Sequence, residues 1–155
     1  MLQRVARMIS RRKNATALIL LVWFAASLQA CHHGPDEVQV RHAIATMAAA
    51  AEADSATDLV APLSGDFDGN GGELDRRSLG GMLRLLALRG EHVDVVMGPV
   101  TIERRGGRLL ARFTVTLGSG ANMLPDRLGV YEVESAWREE DGHWRCYTAS
   151  WKHTM

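Results

Sequence analysis

The chain has 155 residues, and its 18 basic residues balance its 18 acidic residues. The two signs are unevenly spread, because the first 30 residues carry five basic groups and no acidic group. Without those five, 13 basic residues face 18 acidic ones, so the remaining 125 residues have a net charge near −5. That length suffices for one compact domain. The acidic balance argues against nucleic acid as a partner, since binding to phosphate needs cationic contacts.

The N-terminal segment has the layout of a secretory signal peptide. A basic stretch, Met1 to Lys13, precedes a mainly apolar stretch of 14 residues, Ala15 to Leu28. This apolar stretch is too short to cross a hydrocarbon core, which needs about 20 apolar residues. It ends in Leu28-Gln29-Ala30-Cys31. That ending resembles the lipobox of bacterial lipoproteins, in which an aliphatic, a variable and a small residue precede the cysteine.

The lipobox resemblance implies a lipid anchor. Residues 1–30 would be a lipoprotein signal peptide cleaved between Ala30 and Cys31, and Cys31 would carry several acyl chains, palmitate among them, which together anchor a protein almost permanently. His32 follows the cysteine in place of the aspartate that marks inner-membrane retention in enteric bacteria. The implied location is therefore the outer membrane, with the protein facing the periplasm and residues 31–35 as a tether.

An ordinary signal peptide with an incidental Cys31 is the alternative. In that case Cys31 and Cys146, the two cysteines of the chain, could form a disulfide in the oxidising exterior. With Cys31 lipidated, Cys146 is expected to be a small, buried core residue.

The segment after the tether has a helical period. A first helix is predicted from Asp36 to about Ala56, and a short second helix from Thr57 to Leu63. The stretch from Ser64 to Glu73 is rich in Gly, Asp and Asn, so a loop is predicted there. Asp75 is a good N-cap for a third helix, which is expected to stop at Gly90.

After Gly90 the period changes from 3.6 to 2. Hairpin turns are predicted at Arg105-Gly106-Gly107 and at Glu140-Asp141-Gly142. Helices followed by antiparallel strands indicate an α+β fold. The predicted strands are His92–Met97, Val100–Arg104, Leu109–Leu117, Val130–Arg138 and Trp144–Lys152.

Landmarks in these strands resemble the nuclear transport factor 2-like superfamily, whose domains are also described as SnoaL-like or cystatin-like. The resemblance covers Asp36 to His153 and rests on the runs Leu110 to Val115, Tyr131-Glu132-Val133 with Trp137, Asp141 to Arg145, and the closing Trp151. It implies that residues 36–155 form a cone, in which a long helix and two shorter ones pack on a strongly curved antiparallel sheet. The superfamily holds ketosteroid isomerases, scytalone dehydratases, polyketide cyclases and non-enzymatic binding domains, so the fold alone does not choose a function.

Candidate site residues follow from the same resemblance. Catalytic members use Tyr, Asp or His inside the cone, but no spacing ties two such residues to one reacting atom here, and no catalytic residue is assigned. The residues with suitable chemistry are His42, Asp94, Tyr131 and Tyr147. Aromatic side chains could line an apolar cavity, and those predicted to do so are Tyr131, Trp137, Tyr147 and Trp151.

One stretch matches the first half of a calcium loop. Asp66, Asp68 and Asn70 stand at the first, third and fifth positions, whose oxygens converge on the ion, and Gly71 stands at the sixth, where the chain turns. The twelfth position is Arg77, where a bidentate Glu is needed. A plain loop without metal is therefore favoured, with calcium as a weak alternative.

Two functions from different classes stay open. The first is a lipid-anchored envelope protein that binds a small apolar ligand or another envelope protein without catalysis. The second is a small isomerase, dehydratase or cyclase that uses the cone as its active site. The lack of an identifiable catalytic set favours the first. No cofactor is expected, and a homodimer is compatible with either function.

Overall fold

A computed structural model of the chain describes residues 35–120 and 127–154. The predicted signal peptide, the cleavage site at Ala30 and Cys31, and the tether as far as Gly34 lie outside the described residues. Within those two ranges, no helix is both long and apolar enough to cross a membrane. The helices are α1 (Pro35–Glu52), α2 (Ala56–Val60) and α3 (Arg76–Leu88), and the strands are β1 (Leu63–Gly69), β2 (Leu74–Asp75), β3 (His92–Met97), β4 (Thr101–Arg105), β5 (Arg108–Gly120), β6 (Arg127–Glu140) and β7 (His143–His153).

All three predicted helices are present, but α2 begins at Ala56 and ends at Val60 instead of covering Thr57 to Leu63. Helix α1 ends at Glu52, short of the predicted Ala56, because Asp54 adopts the left-handed conformation with a φ of 54°. The Asp75 side chain caps α3 as predicted and accepts a hydrogen bond of 2.6 Å from the Ser78 backbone N–H. Gly90, with a φ of 69°, follows the end of α3 in the conformation that terminates helices.

The strands form a curled sheet in the order β2-β1-β7-β6-β5-β3, and β4 pairs with β5 beyond the end of β3. Both predicted hairpin turns are present. Asp141 and Gly142, with φ values of 51° and 77°, join β6 to β7, as a tight two-residue turn requires. The predicted α+β class is confirmed. The sheet is mixed rather than wholly antiparallel, because β1 runs parallel to β7.

The loop predicted from Ser64 to Glu73 is wrong for most of its length. Strand β1 runs through it to Gly69, and only the turn that leads into β2 is irregular. Gly and Asp disfavour strands locally, but β1 pairs with a strand from the far end of the chain. Leu63 lies opposite Cys146, and Asp68 lies opposite Thr148. This pairing and the burial of Leu63 override the local composition.

The main core lies between α1 and the inner face of the sheet. Val40 and Ile44 of α1 belong to the same buried cluster as Leu109 and Trp137. Each side chain of this kind stabilises the fold by about 1.5–3 kcal/mol when fully buried. A second cluster, which includes Ala50, Leu59 and Leu83, joins the three helices. The two clusters hold the helices over one face of the sheet.

Candidate functional site

A cavity of about 450 Å³ lies between the helices and the inner face of the sheet. Small-molecule sites usually have volumes of about 300–1,000 Å³. All three helices line the cavity, as do β1, β3, β5, β6 and β7. The wall is almost wholly apolar: Tyr131 and Ser135 carry hydroxyl groups, Cys146 carries a thiol, and Trp137 and Trp151 carry indole N–H groups. None of the described lining residues is acidic, basic or a histidine.

Strict alternation along two long strands builds most of the sheet wall. In β5, Phe113, Val115 and Leu117 face the cavity, and in β6 every second residue from Tyr131 to Trp137 does the same. The residues between them face outward, where Arg112 Nε pairs with Glu134 across the strands at 2.6 Å. The alternation of apolar and polar residues therefore gives the sheet an apolar inner face and a charged outer face.

Strand β7 reaches the cavity by breaking its alternation. Trp137 lies opposite Cys146, while the preceding Ala136 lies opposite Thr148. Tyr147 is thus the extra residue of a β-bulge, and such a residue exchanges the two faces of the strand beyond it. Cys146 lines the cavity before the bulge, and Ala149 and Trp151 line it after the bulge.

Three of the four aromatic residues predicted to line the cavity, Tyr131, Trp137 and Trp151, do lie in its wall. Tyr147 does not belong to the lining. Its ring instead contacts the guanidinium groups of Arg108 and Arg138, at 5.4 and 5.1 Å from the ring centre. The bulge explains the difference, because uninterrupted alternation would put Tyr147 on the same face as Trp151.

The polar groups of the wall make few hydrogen bonds. Ser135 is 5% exposed, and its Oγ accepts a hydrogen bond of 3.0 Å from the Trp137 indole N–H. The Cys146 thiol donates to the Thr148 carbonyl at 3.4 Å, and burial raises the pKa of this thiol to about 12. The Tyr131 ring packs edge-on against His153, with ring centres 5.1 Å apart. None of these contacts brings an acid next to a base.

The residues with suitable catalytic chemistry are not brought together. His42 is exposed on α1, and Asp94 is exposed on β3, where the alternate residues Val93 and Val95 face the cavity instead. Tyr131 is the one of the four candidates that lines the cavity.

The calcium candidates also lie apart from the cavity, and each of the three side chains has another hydrogen-bond partner. Asp66 Oδ1 accepts a hydrogen bond of 2.6 Å from Arg138, and Asp68 Oδ1 accepts from a backbone N–H in the following turn. Asn70 Oδ1 accepts from the Trp151 backbone N–H at 2.9 Å. Among the described residues, no three His, Cys, Asp or Glu side chains are grouped so that they could hold a metal ion.

A second concavity, of about 590 Å³, lies beside the start of α3. Three arginines border it, Arg76, Arg77 and Arg84, together with the capping residue Asp75. The Asp75 carboxylate already bonds to the helix N-terminus, the position where an anion would bind. The apolar cavity is therefore the better candidate for a site.

Solved structures with very low sequence identity have the same arrangement of helices over a curled sheet. Aln2 from a Streptomyces species has a TM-score of 0.66 at 14% identity, with 79% of this chain and 94% of that chain covered. An NTF2-like protein from Cytophaga hutchinsonii has a TM-score of 0.62 at 13% identity, with 79% and 100% covered. This chain has the nuclear transport factor 2-like (NTF2-like) fold.

The NTF2-like neighbours also include a proposed scytalone dehydratase from Novosphingobium aromaticivorans. Its TM-score is 0.61 at 12% identity, with 76% of this chain and 83% of that chain covered. At such identities the likeness concerns the fold alone. The sequence itself matches no protein-family model and no curated protein.

Several wall residues of the NTF2-like cone were not singled out from the sequence. The helical contributors, such as Met47, Ala48 and Leu83, read only as apolar helix positions. Ser135 carried a usable signal, because it interrupts the apolar side of a strand between Val133 and Trp137. A lone serine on an otherwise apolar inner face marks a polar point in a cavity wall.

Proposed function

We propose that the cone cavity binds a small apolar ligand and that the protein acts by binding rather than by catalysis. The observation that supports the proposal is the cavity itself, about 450 Å³ in volume, with no carboxylate, imidazole, ammonium or guanidinium group among its described lining residues. Such a wall favours apolar molecules because it removes their surface from water, at about 25 cal/mol per Å². It disfavours ions, which would be buried without a partner.

Dehydratase-type catalysis is the second candidate, and the fold shared with a proposed scytalone dehydratase favours it. General acid–base catalysis works best with a group whose pKa lies near the operating pH. Burial gives the Cys146 thiol a pKa of about 12, so this group stays protonated at neutral pH. Binding is the better proposal because no described wall residue supplies an acid–base pair.

Photolabelling of the full chain in membranes tests the binding proposal. The probe is adamantane diazirine, a compact apolar molecule that labels whatever surrounds it on irradiation, and peptide mass spectrometry locates the label. We expect labelling of wall residues such as Met47, Val133 and Trp151. Label confined to outward-facing residues would contradict the proposal.

A matched pair of variants makes this test specific. Ala48 lines the cavity, while its neighbour Ala49 is exposed on the same helix. Ala48→Phe should fill part of the cavity and reduce labelling of its wall. Ala49→Phe adds the same ring to the outside of α1 and should leave labelling unchanged. Circular dichroism of both variants checks that the helices remain folded.

We also propose that the protein is a lipoprotein held by Cys31 in the outer membrane and facing the periplasm. The leader and the lipobox-like Leu28-Gln29-Ala30-Cys31 motivate this. The position of Cys146 is consistent with it. Cys146 is 3% exposed and its thiol faces the cavity wall, so a disulfide with Cys31 would require the cone to open.

The mass of the mature N-terminal peptide tests the anchor. Wild-type protein extracted from membranes should yield a peptide that begins at an acylated Cys31. The Cys31→Ala variant should lack the acyl groups and keep its leader. An unmodified wild-type N-terminus in the soluble fraction would contradict the proposal and would favour an ordinary signal peptide.

A further inference from the structure

We propose that the ligand of the cone cavity is an uncharged, mainly apolar molecule with one acceptor oxygen, such as a ketone, and that this oxygen accepts a hydrogen bond from the Ser135 hydroxyl. The inference rests on the proposed binding function and adds the chemical class of the ligand. It depends on the position of Ser135, on its hydrogen bonding and on the composition of the surrounding wall.

Ser135 lies at a point of the wall where the neighbouring side chains are small. It stands in the middle of β6, directly opposite Ala111 of β5 and Ala149 of β7. All three side chains are on the inner face: Ser135 and Ala149 line the cavity, and Ala111 is fully buried in the main core. Because Ser135 itself belongs to the cavity wall, a ligand in the cavity can reach its hydroxyl group.

The hydrogen bonding of Ser135 leaves its proton unused. Its Oγ accepts from the Trp137 indole N–H at 3.0 Å, which is the partner that the described residues give it. A hydroxyl group has one donor and two acceptor positions. The indole fills one acceptor position and fixes the oxygen, while the O–H remains available to a ligand. At 5% exposure, this donor is largely shielded from water, and a buried donor without a partner is costly.

The other polar groups of the wall are less suited to this role. The Cys146 thiol already donates to the Thr148 carbonyl. Tyr131 and Trp151 are only partly buried, and the Tyr131 ring lies over Gly129, within 2.7 Å of the position that a Cβ there would take. Ser135 is therefore the deep polar contact, and the rest of the ligand meets apolar surface.

Two probes of the same shape isolate the contribution of the oxygen. The probes are 2-adamantanone and 2-methyleneadamantane, in which a C=CH₂ group replaces the C=O group. Each competes with adamantane diazirine for photolabelling of the full chain in membranes, and each concentration is corrected for partition into protein-free membranes. We expect the ketone to block labelling of the wall at about fivefold lower concentration, the size of one net hydrogen bond.

The variants must remove both donors near the oxygen, because Ser135→Ala alone would free the Trp137 indole N–H to replace the lost hydroxyl. The double variant Ser135→Ala/Trp137→Phe removes both groups, and the two probes should then compete equally. Trp137→Phe alone keeps the hydroxyl group but no longer fixes its oxygen, so it should show a reduced preference for the ketone that the double variant lacks. The comparison of the two probes on wild-type protein stands even if the double variant does not fold.

Each result has one meaning. Equal competition by the two probes on wild-type protein would overturn the assignment of an acceptor-bearing ligand and leave apolar binding intact. A preference for the ketone that survives in the folded double variant would overturn the role of Ser135. Failure of both probes to block labelling would overturn the binding function itself.

Discussion

Cys146 is the most strongly shifted titratable group among the described residues. Its side chain is part of the main core, and burial raises the pKa of the thiol to about 12 because the thiolate would lose its hydration. A hydrogen bond between the thiol and the Thr148 carbonyl accompanies this burial. The thiol therefore behaves as a small apolar group and is a poor nucleophile at physiological pH.

The raised pKa of Cys146 predicts a loss of stability in alkaline solution. The native pKa of about 12 exceeds the ordinary value of 9.0. The stability that the fold gains from its protonated thiol is therefore complete below pH 9 and disappears as the pH rises towards 12. Between pH 8 and pH 10 the free energy of unfolding should fall by about 1.4 kcal/mol because of this group. Urea unfolding of the wild type and of Cys146→Ala measures this fall, since the variant has no thiol to titrate. Equal pH dependence in both proteins would contradict the prediction.

At the scale of elements, a network of polar side chains on the outer face of the sheet links β1 to β6 across β7. Ser64 Oγ lies 2.7 Å from Glu140, and Arg138 donates to Asp66 and to Glu140 at 2.6 Å each. The nearby Ser64 hydroxyl, whose one proton the two carboxylates share, and the Arg138 guanidinium lower the pKa of both carboxyl groups. The network stabilises the position of β1 in the sheet, although the sequence of β1 has little tendency to form a strand.

Removal of Arg138 should make the fold more sensitive to acid. Because their native pKa values are lowered, Asp66 and Glu140 stabilise the fold at pH values above their ordinary pKa values of 3.8 and 4.5. This stabilisation is lost as the pH falls through the native pKa values. Arg138→Gln should therefore move the acid-unfolding midpoint to higher pH. Arg108→Gln is the control, because Arg108 contacts the same Tyr147 ring and has no carboxylate partner among the described residues. Equal shifts in the two variants would argue against the network.

The end of β1 meets the cavity wall at Gly69. A Cβ on Gly69 would lie 2.8 Å from the Trp151 ring and 2.9 Å from the Leu74 carbonyl oxygen, whereas a Cβ on Gly65 would meet nothing within 4 Å. Gly69→Ala should cost about 1–3 kcal/mol of stability through overpacking. Gly65→Ala in the same strand should change stability by less than about 0.5 kcal/mol. Denaturant unfolding compares the two, and similar losses would show that Gly69 is not tightly packed.

The sequence predicted those elements whose signal is local. The helices carry caps such as Asp75, and β5 and β6 alternate over many residues, so Tyr131 and Trp137 could be assigned to the inner face. Strand β1 was missed because its partner is distant and its residues are those of a loop. Tyr147 was misplaced because a bulge arises from the pairing of two strands and leaves no local mark.

At the scale of the whole molecule, the fold and the cavity follow from packing, while the identity of the ligand depends on a few polar atoms. The apolar pattern could predict a cone but not the row of small side chains around Ser135, because that row combines residues from three strands. The lipid anchor was predicted from a motif of four residues outside the described ranges, and the membrane assays above test it independently of the cavity.

Ligand binding should stabilise the whole fold. A molecule that binds only the native state adds about 2.7 kcal/mol at a concentration of 100 times its Kd. We therefore expect 2-adamantanone to raise the Tm of the wild type and to have little effect on Ala48→Phe, whose cavity is partly filled. Tryptophan fluorescence can follow the melting, because Trp137 and Trp151 lie in the wall. An unchanged Tm at saturating ketone would contradict the prediction.

The bulge at Tyr147 has a consequence for how such proteins can diversify. Beyond it, Ala149 and Trp151 face inward, while Ser150 and Lys152 are exposed. Deletion of Tyr147 would restore regular pairing and keep Ala149 opposite Ser135 and Trp151 opposite Val133, so both would still face inward. A one-codon deletion would thus remove the ring that Arg108 and Arg138 contact and leave the inner wall as it is, so the outer face of the sheet can change independently of the cavity.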